Sequence, residues 1–398
     1  MLRLSKKVAS VQKSKTLLLT AIARQMRAEG IDVVSLTAGE PDFPTPEHVK
    51  KAAVQAIEEN FTKYTANEGI LELRKAIVEK FRRDNNLHFE PSEILVSCGA
   101  KHSIYNALQA ICDKGDEIII LSPYWVSFPD MVKLVDGVPK IIQPVEGSSG
   151  KATAHQIKRT ISKRTKGLIF NSPCNPSGAV YSPDEIREIA EVVAKTGIYV
   201  ISDEIYEKVI YDDAKHFSIG SIEKIRDQVI TVNGVSKAYS MTGWRIGFLG
   251  ASKEIAAAAE KVQSQVTSNP SSISQRAALA ALTNSGDSTR DMVSEFKRRR
   301  DYFWSELSRI EGIECPVPQG AFYLFPKVTE LLDRKFDGPK ISSADDLCEY
   351  FLKQCRVATV PGTAFGSADH IRLSYACSME DLQKAAGRIR EGVLRLLA

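Results

Sequence analysis

The sequence predicts an α/β protein with a mainly parallel sheet flanked by helices, to which a smaller α+β domain is joined. Between residues 90 and 250, short runs of β-forming residues alternate with segments of helical periodicity. Residues 118–121 are apolar at every position, which is typical of a strand covered on both faces. After Lys253 the pattern changes to long helices and then to a mixed segment that reaches Ala398. These changes indicate two structural units.

The elements follow in chain order from their local signals. A loop marked by proline and glycine at residues 37–44 precedes a helix, with Thr45 as its N-cap and Pro46 at the first helical position. A capping box predicts that another helix begins after Ser182. Strands are predicted at residues 93–98, 117–121, 167–171, 199–202, 229–232 and 246–249, and long helices at 253–268, 272–282 and 289–310.

Three parts are predicted in the domain organisation. An N-terminal segment of residues 1–45 is expected to join the small domain, because its pattern differs from that of the sheet region. Residues 46–287 are expected to form the large domain, and residues 288–398 the small C-terminal domain.

The composition excludes several classes of protein. The chain has 398 residues, 43% hydrophobic and 26% charged, which suits a globular protein with a sizeable core. A net charge of +4 without a long basic block argues against a nucleic-acid partner, and no apolar run is long enough for a membrane span. The N-terminus lacks the apolar stretch of a secretory signal. Seven scattered cysteines form no CxxC pair, so we expect no metal site, no disulfide framework and a cytoplasmic location.

Residues that follow the strands are candidates for a site, because open α/β sheets bind ligands at the carboxyl ends of their strands. After the first strand, Gly99, Ala100 and Lys101 begin a helix. Free N–H groups and the positive end of the helix dipole make such a turn a seat for phosphate, although alone it is better explained as a tight turn. After the third strand, two prolines flank Asn175 and fix the direction of its side chain.

Charged residues follow two further strands. Asp203 ends the fourth strand and is expected to lie deep in a crevice, where a carboxylate needs a cationic partner. Lys237 follows the fifth strand among small residues, and desolvation there lowers the pKa of an amine and frees it as a nucleophile. Eight residues later, Arg245 supplies a permanent cation for a phosphate. The residues together predict a phosphate-binding site beside a reactive lysine.

Six motifs are spread over almost the whole chain. They are Ala-Gly-Glu-Pro-Asp-Phe at residues 38–43, Ser-Pro-Tyr-Trp at 122–125, Asn-Pro-Ser-Gly at 175–178, Ser-Asp-Glu-Ile-Tyr at 202–206, Ser-Lys-Ala-Tyr-Ser-Met-Thr-Gly-Trp-Arg-Ile-Gly at 236–247 and Ile-Arg-Leu-Ser-Tyr-Ala at 371–376. With these motifs the chain resembles the class I aminotransferases, pyridoxal-phosphate enzymes of fold type I. It is most similar to the prokaryotic-type aspartate aminotransferases and their prephenate-using relatives.

The resemblance implies a homodimer with shared active sites that transaminates aspartate and glutamate with 2-oxoglutarate or oxaloacetate by a ping-pong mechanism. It implies that Lys237 binds the cofactor and moves a proton, that Asp203 pairs with the ring nitrogen, and that Tyr206 contacts the phenolic oxygen of the ring. The other implied cofactor contacts are Asn175, Trp125, Gly99, Ala100, Lys101, Ser236, Arg245 and Tyr64, the last reaching the phosphate of the neighbouring subunit. The implied substrate contacts are Gly39, Lys101, Thr16, Trp125, Asn175 and Arg372, of which Arg372 grips the α-carboxylate.

The chain departs from the commonest animal and enterobacterial pattern at two places. Three residues before Lys237 it has Gly234 instead of serine, so one hydroxyl for the phosphate is missing and Ser236 is its expected partial replacement. Residues 263–269 contain no arginine for the distal carboxylate of the substrate, and the resemblance implies that Lys101, helped by Thr16 and Ser14, binds it instead.

Several alternatives remain open at this point. A dinucleotide-binding protein is excluded because no G-x-G-x-x-G follows a strand. Related domains occur in transcription regulators, but the 35 or so residues before Ala38 are too few for a DNA-binding module. Within enzymes, the same fold supports β-lyases, decarboxylases and cyclopropane-forming synthases. The second expectation for the reaction is a glutamate/aspartate–prephenate aminotransferase, with both activities in one site.

Overall fold

A seven-stranded sheet forms the centre of the computed structural model, which describes residues 5–11, 15–145, 150–284, 289–335 and 340–398, with the backbone alone for residues 15–17. The strands described are β1 (Val34–Ser35), β2 (Ile94–Ser97), β3 (Glu117–Leu121), β4 (Val138–Ile142), β5 (Thr165–Asn171), β6 (Tyr199–Asp203), β7 (Val229–Gly234), β8 (Gly247–Gly250), β9 (Tyr323–Leu324), β10 (Val357–Ala358), β11 (Val360–Pro361) and β12 (Ile371–Ser374). The central sheet has the order β2-β8-β7-β6-β5-β3-β4. Its strands are parallel except β8, which is antiparallel to both β2 and β7.

Helices cover the central sheet and form much of the C-terminal part. They are α1 (Lys6–Ala9), α2 (Lys15–Ala28), α3 (Glu47–Glu58), α4 (Leu71–Asn85), α5 (Ala100–Ile111), α6 (Phe128–Leu134), α7 (Ala154–Thr160), α8 (Pro183–Thr196), α9 (Lys253–Val266), α10 (Ser272–Thr283), α11 (Arg290–Leu307), α12 (Ala344–Cys355) and α13 (Met379–Leu397). Short 3-10 turns lie at Pro91–Glu93, Ile219–Ser221, Glu223–Gln228, Thr329–Leu331 and Gly362–Phe365. None of the helices in the described ranges combines the length and apolarity that a bilayer span requires.

The predicted α/β fold with a mainly parallel sheet is confirmed, and all six predicted strands are present with ends shifted by at most two residues. The long helices predicted from residues 253, 272 and 289 correspond to α9, α10 and α11. The prediction missed β4, an edge strand that pairs with β3 alone. Pro139 and Lys140 lie within β4, and both residue types are common on exposed edges but obscure the strand signal in a sequence.

The predicted capping box at Ser182 is confirmed, but the predicted cap at Thr45 is wrong. The Ser182 hydroxyl accepts from the Glu185 amide, and the Glu185 carboxylate accepts from the Ser182 amide at 2.7 Å. The N-cap of α3 is Pro46, without a capping side chain. The Thr45 hydroxyl instead donates to the Ser240 carbonyl at 2.8 Å and accepts from the Trp244 indole at 3.0 Å. It therefore fastens the N-terminal loop to the segment that carries Lys237.

The N-terminal segment packs with the C-terminal part of the chain. Strand β1 pairs in parallel with β10, and Leu36 lies in the same apolar core as α11, α12 and α13. In this part, β11, β12 and β9 form a three-stranded antiparallel sheet. The division into residues 1–45, 46–287 and 288–398 stays a prediction, and its last boundary lies outside the described residues.

Candidate active site

A cavity of about 410 Å³ lies at the carboxyl ends of β5, β6 and β7. This is the edge at which open α/β sheets bind ligands. The loop of residues 37–40 and the Arg372 side chain from β12 close the cavity from the side of the C-terminal part. The predicted site residues that line it are Gly39, Ala100, Lys101, Trp125, Asn175, Asp203, Tyr206, Ser236, Lys237, Arg245 and Arg372.

One end of the cavity is built to bind an anion. Gly99 is the N-cap of α5, and among the described residues the amides of Ala100 and Lys101 have no acceptor. The Arg245 guanidinium lies beside them, held by the Thr242 carbonyl at 2.8 Å. A β-carbon at Gly99 would collide with this guanidinium, so only glycine permits the close approach. Free helix N–H groups together with an arginine attract a phosphate or carboxylate.

Asp203 is a buried acid at the floor of the cavity. Its side chain accepts a hydrogen bond from the Ile205 amide at 3.2 Å, and in the part of the chain described here it forms no ion pair. Burial raises the pKa of Asp203 to about 7, although the Ile205 N–H and the Lys237 cation act against this rise. A buried carboxyl group without a paired cation is prepared to bind a positively charged ligand atom.

Asn171 connects Asp203 with the Asn175 loop, a role that the sequence analysis missed. The Asn171 amide donates to the Asp203 carbonyl at 2.9 Å, and its carbonyl oxygen accepts from the Asn175 amide at 3.0 Å. Asn171 is the last residue of β5, where its strand pairs with Asp203 of β6. A polar residue at the carboxyl end of an apolar strand was the available signal.

Lys237 presents its amine inside the cavity. The Nζ atom donates to the Gly39 carbonyl and lies 5.8 Å from the centroid of the Tyr206 ring. Burial lowers the pKa of Lys237 to about 8, and the Arg372 cation adds to the decrease while Glu40 opposes it. A significant fraction of the amine is therefore uncharged near neutral pH, which is the form that acts as a nucleophile or a base.

Arg372 is a buried cation opposite the anion seat of α5. Its side chain is 2% exposed, and it donates to the Asn175 side chain at 3.0 Å and to the Thr37 carbonyl at 2.8 Å. Its Nε atom has no partner among the described residues. These contacts fix the plane of the guanidinium and leave N–H groups available for a carboxylate.

Lys101 and Trp125 form one wall of the cavity. The Lys101 ammonium lies 4.7 Å from the centroid of the Trp125 ring, whose edge packs on Phe128. Partial burial lowers the pKa of Lys101, and the nearby Arg245 cation adds to this effect. Lys101 therefore gives the cavity a further cation, separate from Arg245 and Arg372.

One residue of the predicted site, Tyr64, lies outside the cavity, and two others fall outside the described side chains. Tyr64 is 91% exposed and borders a different groove, formed with Thr62, Lys63, Asn269 and Ser271. Thr16 lies in α2, but its side chain is outside the described residues, as is all of Ser14. The roles proposed for these residues stay predictions.

The commonest animal and enterobacterial pattern has serine at the position of Gly234. The structure gives a steric reason for the glycine of this chain. A β-carbon at Gly234 would lie 3.0 Å from both the Gly247 α-carbon and the Ile246 carbonyl oxygen. Gly234 of β7 pairs with Gly247 of β8, so both strands have glycine at this pair. The Ser236 side chain lines the cavity two residues later.

Behind the cavity lies a buried group of potential metal ligands, Glu204, Glu207 and His216. The carboxylate oxygens of the two glutamates already accept hydrogen bonds from protein donors. Glu204 accepts from His216 at 2.9 Å, and Glu207 accepts from Asn85 at 2.6 Å and forms an ion pair with buried Lys80. With Lys80, Asn85 and His216 as partners, the two carboxylates belong to a buried polar network next to the chain that follows Asp203.

The comparisons with known proteins give the class to which this fold and site belong. The sequence model described as aminotransferase class I and II matches residues 31–389, and the chain belongs to this family, whose fold is type I. Aspartate aminotransferase of Bacillus sp. (strain YM-2) is 44% identical over 387 residues, which cover 97% of this chain and 98% of that protein.

Two further relatives are similar over their full length. A probable aspartate/prephenate aminotransferase of Rickettsia conorii is 44% identical over 393 residues and 98% of each chain. The solved structure of Thermus thermophilus aspartate aminotransferase with maleate superposes with a TM-score of 0.92 at 41% identity, covering 98% of this chain and 100% of that one. The protein is an aminotransferase enzyme, as the motifs predicted.

Proposed function

We propose that this enzyme uses pyridoxal phosphate to transaminate aspartate and glutamate with 2-oxoglutarate or oxaloacetate by a ping-pong mechanism. One observation carries the proposal: a lysine amine with a pKa lowered to about 8 shares a cavity with a buried acid that has no ion-pair partner among the described residues. Two arginines, Arg245 and Arg372, line the same cavity.

The donor set fits the cofactor. Pyridoxal phosphate has a phosphate for the α5 amides and Arg245, and a basic ring nitrogen for the buried Asp203 carboxyl group. Trp125 offers an aromatic wall, and Tyr206 and Asn175 supply polar groups at the cavity surface. The anion seat and the buried acid lie at the same edge of the sheet. The site therefore suits a ligand that carries both a phosphate and a basic nitrogen.

When bound, pyridoxal phosphate takes up the amino group of the substrate and withdraws electrons from its α-carbon. The residues of the chain supply the other requirements. Asp203 would hold a proton at the basic ring nitrogen of the cofactor, because a carboxylate in a dry cavity stabilises an adjacent positive charge. The Lys237 amine removes and returns the proton at the α-carbon, since its lowered pKa suits a base near neutral pH.

Two cations determine which substrates bind. Arg372 binds the α-carboxylate through two parallel hydrogen bonds, and the Gly39 amide assists it. Lys101 binds the second carboxylate of aspartate or glutamate, and Thr16 of α2 is the helper that the resemblance implies. Support comes from the names of the relatives, which include aspartate, and from the Thermus thermophilus structure with maleate, a dicarboxylate.

Lys101→Ala is expected to lower kcat/KM for aspartate, glutamate and prephenate by tens- to thousands-fold. The reason is that losing one member of a desolvated charge pair costs about 2–5 kcal/mol, and each 1.4 kcal/mol or so is tenfold. Phenylalanine has no distal carboxylate, so its kcat/KM is expected to change much less. Steady-state kinetics with aspartate, glutamate and phenylalanine as amino donors and with prephenate as amino acceptor measures the difference.

Lys166→Ala serves as the matched control for this experiment. Lys166 also lies over an aromatic ring, that of Tyr199 at 5.8 Å, but away from the cavity. We expect this variant to keep the wild-type profile. An equal loss for all substrates in Lys101→Ala would show that Lys101 serves the cofactor phosphate and not the dicarboxylate.

We also propose that the enzyme is a homodimer whose active sites are shared through Tyr64. The exposure of this tyrosine supports a contact outside its own chain. Mixing Tyr64→Phe with Lys237→Ala protein is expected to raise the activity above that of either parent. In the mixed dimer one site carries both lesions and the other carries none.

Activity and subunit exchange are measured together in this mixing experiment, for instance with differently tagged chains. If exchange is complete and the activity does not rise, Tyr64 acts within its own chain or has no role. A monomeric protein by sedimentation would refute the shared site directly.

The second candidate reaction is transfer of the amino group of glutamate or aspartate to prephenate in the same site. The printed name of the Rickettsia conorii relative supports this candidate. A kcat/KM panel with aspartate, glutamate, alanine, phenylalanine and prephenate tests both reactions, and pyridoxal phosphate with one amino acid must give a stable pyridoxamine form. Release of ammonia and pyruvate would indicate a lyase. The seven cysteines are free, which supports the cytoplasm as the proposed compartment.

A further inference from the structure

Tyr206 and Tyr323 form a pair of buried hydroxyl groups beneath the cavity. Their Oη atoms are 2.8 Å apart, and the two side chains belong to residues that are 3% and 0% exposed. Tyr323 begins β9 in the C-terminal part of the chain, whereas Tyr206 follows β6 of the central sheet. The pair therefore joins the two parts of the protein at the site.

Each hydroxyl has one proton, so only one member of the pair donates to the other. In the proposed function, the Tyr206 proton is directed to the phenolic oxygen of the cofactor ring. Tyr206 then accepts from its neighbour, and Tyr323 is the donor. Burial of both residues leaves little room for water to take over this contact.

Two other site residues enclose Tyr323. The Arg372 guanidinium lies 4.5 Å from the centroid of the Tyr323 ring. A β-carbon at Gly39, whose carbonyl accepts from Lys237, would lie 3.4 Å from the Tyr323 hydroxyl. Burial raises the pKa of Tyr323, although the Arg372 cation opposes this rise, so the hydroxyl keeps its proton and is available as a donor.

We propose that Tyr323 is a positioning residue whose hydroxyl donates to Tyr206 and thereby keeps Tyr206 as a donor to the ring oxygen of the cofactor. The inference rests on the proposed function. It assigns no direct contact between Tyr323 and the cofactor or the substrate. A hydrogen bond received by Tyr206 polarises its own O–H group, so the two bonds strengthen each other.

The pH dependence of the absorbance of pyridoxal phosphate bound to the enzyme tests this chain of hydrogen bonds. Weaker donation from Tyr206 destabilises negative charge on the ring oxygen, which raises the pH midpoint of the absorbance change. Tyr323→Phe is expected to raise the midpoint by about 0.3 to 1 pH unit. Replacing Tyr323 by 3-fluorotyrosine, a more acidic phenol of nearly the same size, is expected to lower it.

The same titration in the Tyr206→Phe background shows whether Tyr323 acts through Tyr206. We expect Tyr323→Phe to add no shift there. Tyr375→Phe is the matched control, because Tyr375 is a fully buried tyrosine that donates to the Ala321 carbonyl. Its midpoint is expected to equal that of the wild type.

The role of Tyr323 and the proposed function on which it rests would be refuted by different results. Unchanged midpoints in both Tyr323 replacements, with cofactor bound and titrating normally, would refute the role of Tyr323 alone. A shift that persists fully without the Tyr206 hydroxyl would show that Tyr323 acts through Arg372 instead. Failure of the wild-type enzyme to retain pyridoxal phosphate would refute the proposed function, and the role of Tyr323 with it.

Discussion

Lys237→Ala is expected to abolish transamination, with a decrease in kcat of about 10⁴-fold or more, since it removes both the nucleophile and the base. In the described part of the chain, Lys237 is the lysine whose amine lies within the cavity beside Asp203 and Tyr206. Lys101, the other lysine that lines the cavity, is held over Trp125 on a different wall.

Borohydride reduction followed by mass spectrometry of the intact protein measures the covalent bond to the cofactor. The wild type and Lys101→Ala are expected to gain the mass of the reduced cofactor, and Lys237→Ala is expected to gain none. If Lys237→Ala still acquired this mass, another amine would be the attachment point and the assignment would be wrong.

Asp203→Asn is expected to leave the cofactor bound but to reduce kcat on the order of 10²- to 10³-fold, the range for losing one preorganised charge in a dry site. An amide of the same shape offers the ring nitrogen no negative charge. Steady-state kinetics and the absorbance of the bound cofactor measure the two effects separately. Near-normal turnover with full occupancy would exclude the proposed role of Asp203.

The same substitution is expected to stabilise the enzyme without cofactor at high pH. The pKa of Asp203 is raised to about 7 in the folded protein, compared with about 3.9 in an unfolded chain. The folded state therefore holds the proton more tightly, and the stability of the wild type falls as the pH rises from about 4 to about 7. Asparagine at this position does not titrate, so the variant avoids this loss. Its free energy of unfolding is expected to exceed that of the wild type by an amount on the order of 1–3 kcal/mol at pH 8.

Urea unfolding of the cofactor-free proteins at pH 4 and pH 8 measures this difference. At pH 4 the wild type and Asp203→Asn should be nearly equally stable. Asp184→Asn is a matched surface control, because the Asp184 side chain is 90% exposed and its pair with Arg187 contributes little. A stabilisation of Asp203→Asn that was the same at both pH values would show that the buried charge is not its cause.

The central sheet and the cavity side chains next to it were predictable because both depend on short stretches of sequence. Buried parallel strands are continuous apolar runs, and residues such as Asp203 and Lys237 follow them directly. The edge strand β4 was not predictable, because its pattern is set by exposure and not by a buried face.

Contacts between distant parts of the chain could not be predicted from local patterns. Tyr206 and Tyr323 are separated by 117 positions, and the Thr45 hydroxyl bonds to a carbonyl 195 positions away. Thr45 has every local property of an N-cap, and only the approach of the Ser240 segment redirects its hydroxyl. Tertiary packing decides such cases.

Gly234 of β7 and Gly247 of β8 form a pair of facing glycines. This pair has a consequence for how firmly the protein holds the phosphate of its proposed cofactor. Because a β-carbon at Gly234 would press against the backbone of Ile246 and Gly247, a serine there would require these neighbours to shift by a few tenths of an ångström. The charged partner at this end is Arg245, and counterions compete with the attraction of its guanidinium for phosphate. Cofactor retention in this enzyme is therefore expected to depend on ionic strength more steeply than in relatives that keep the serine.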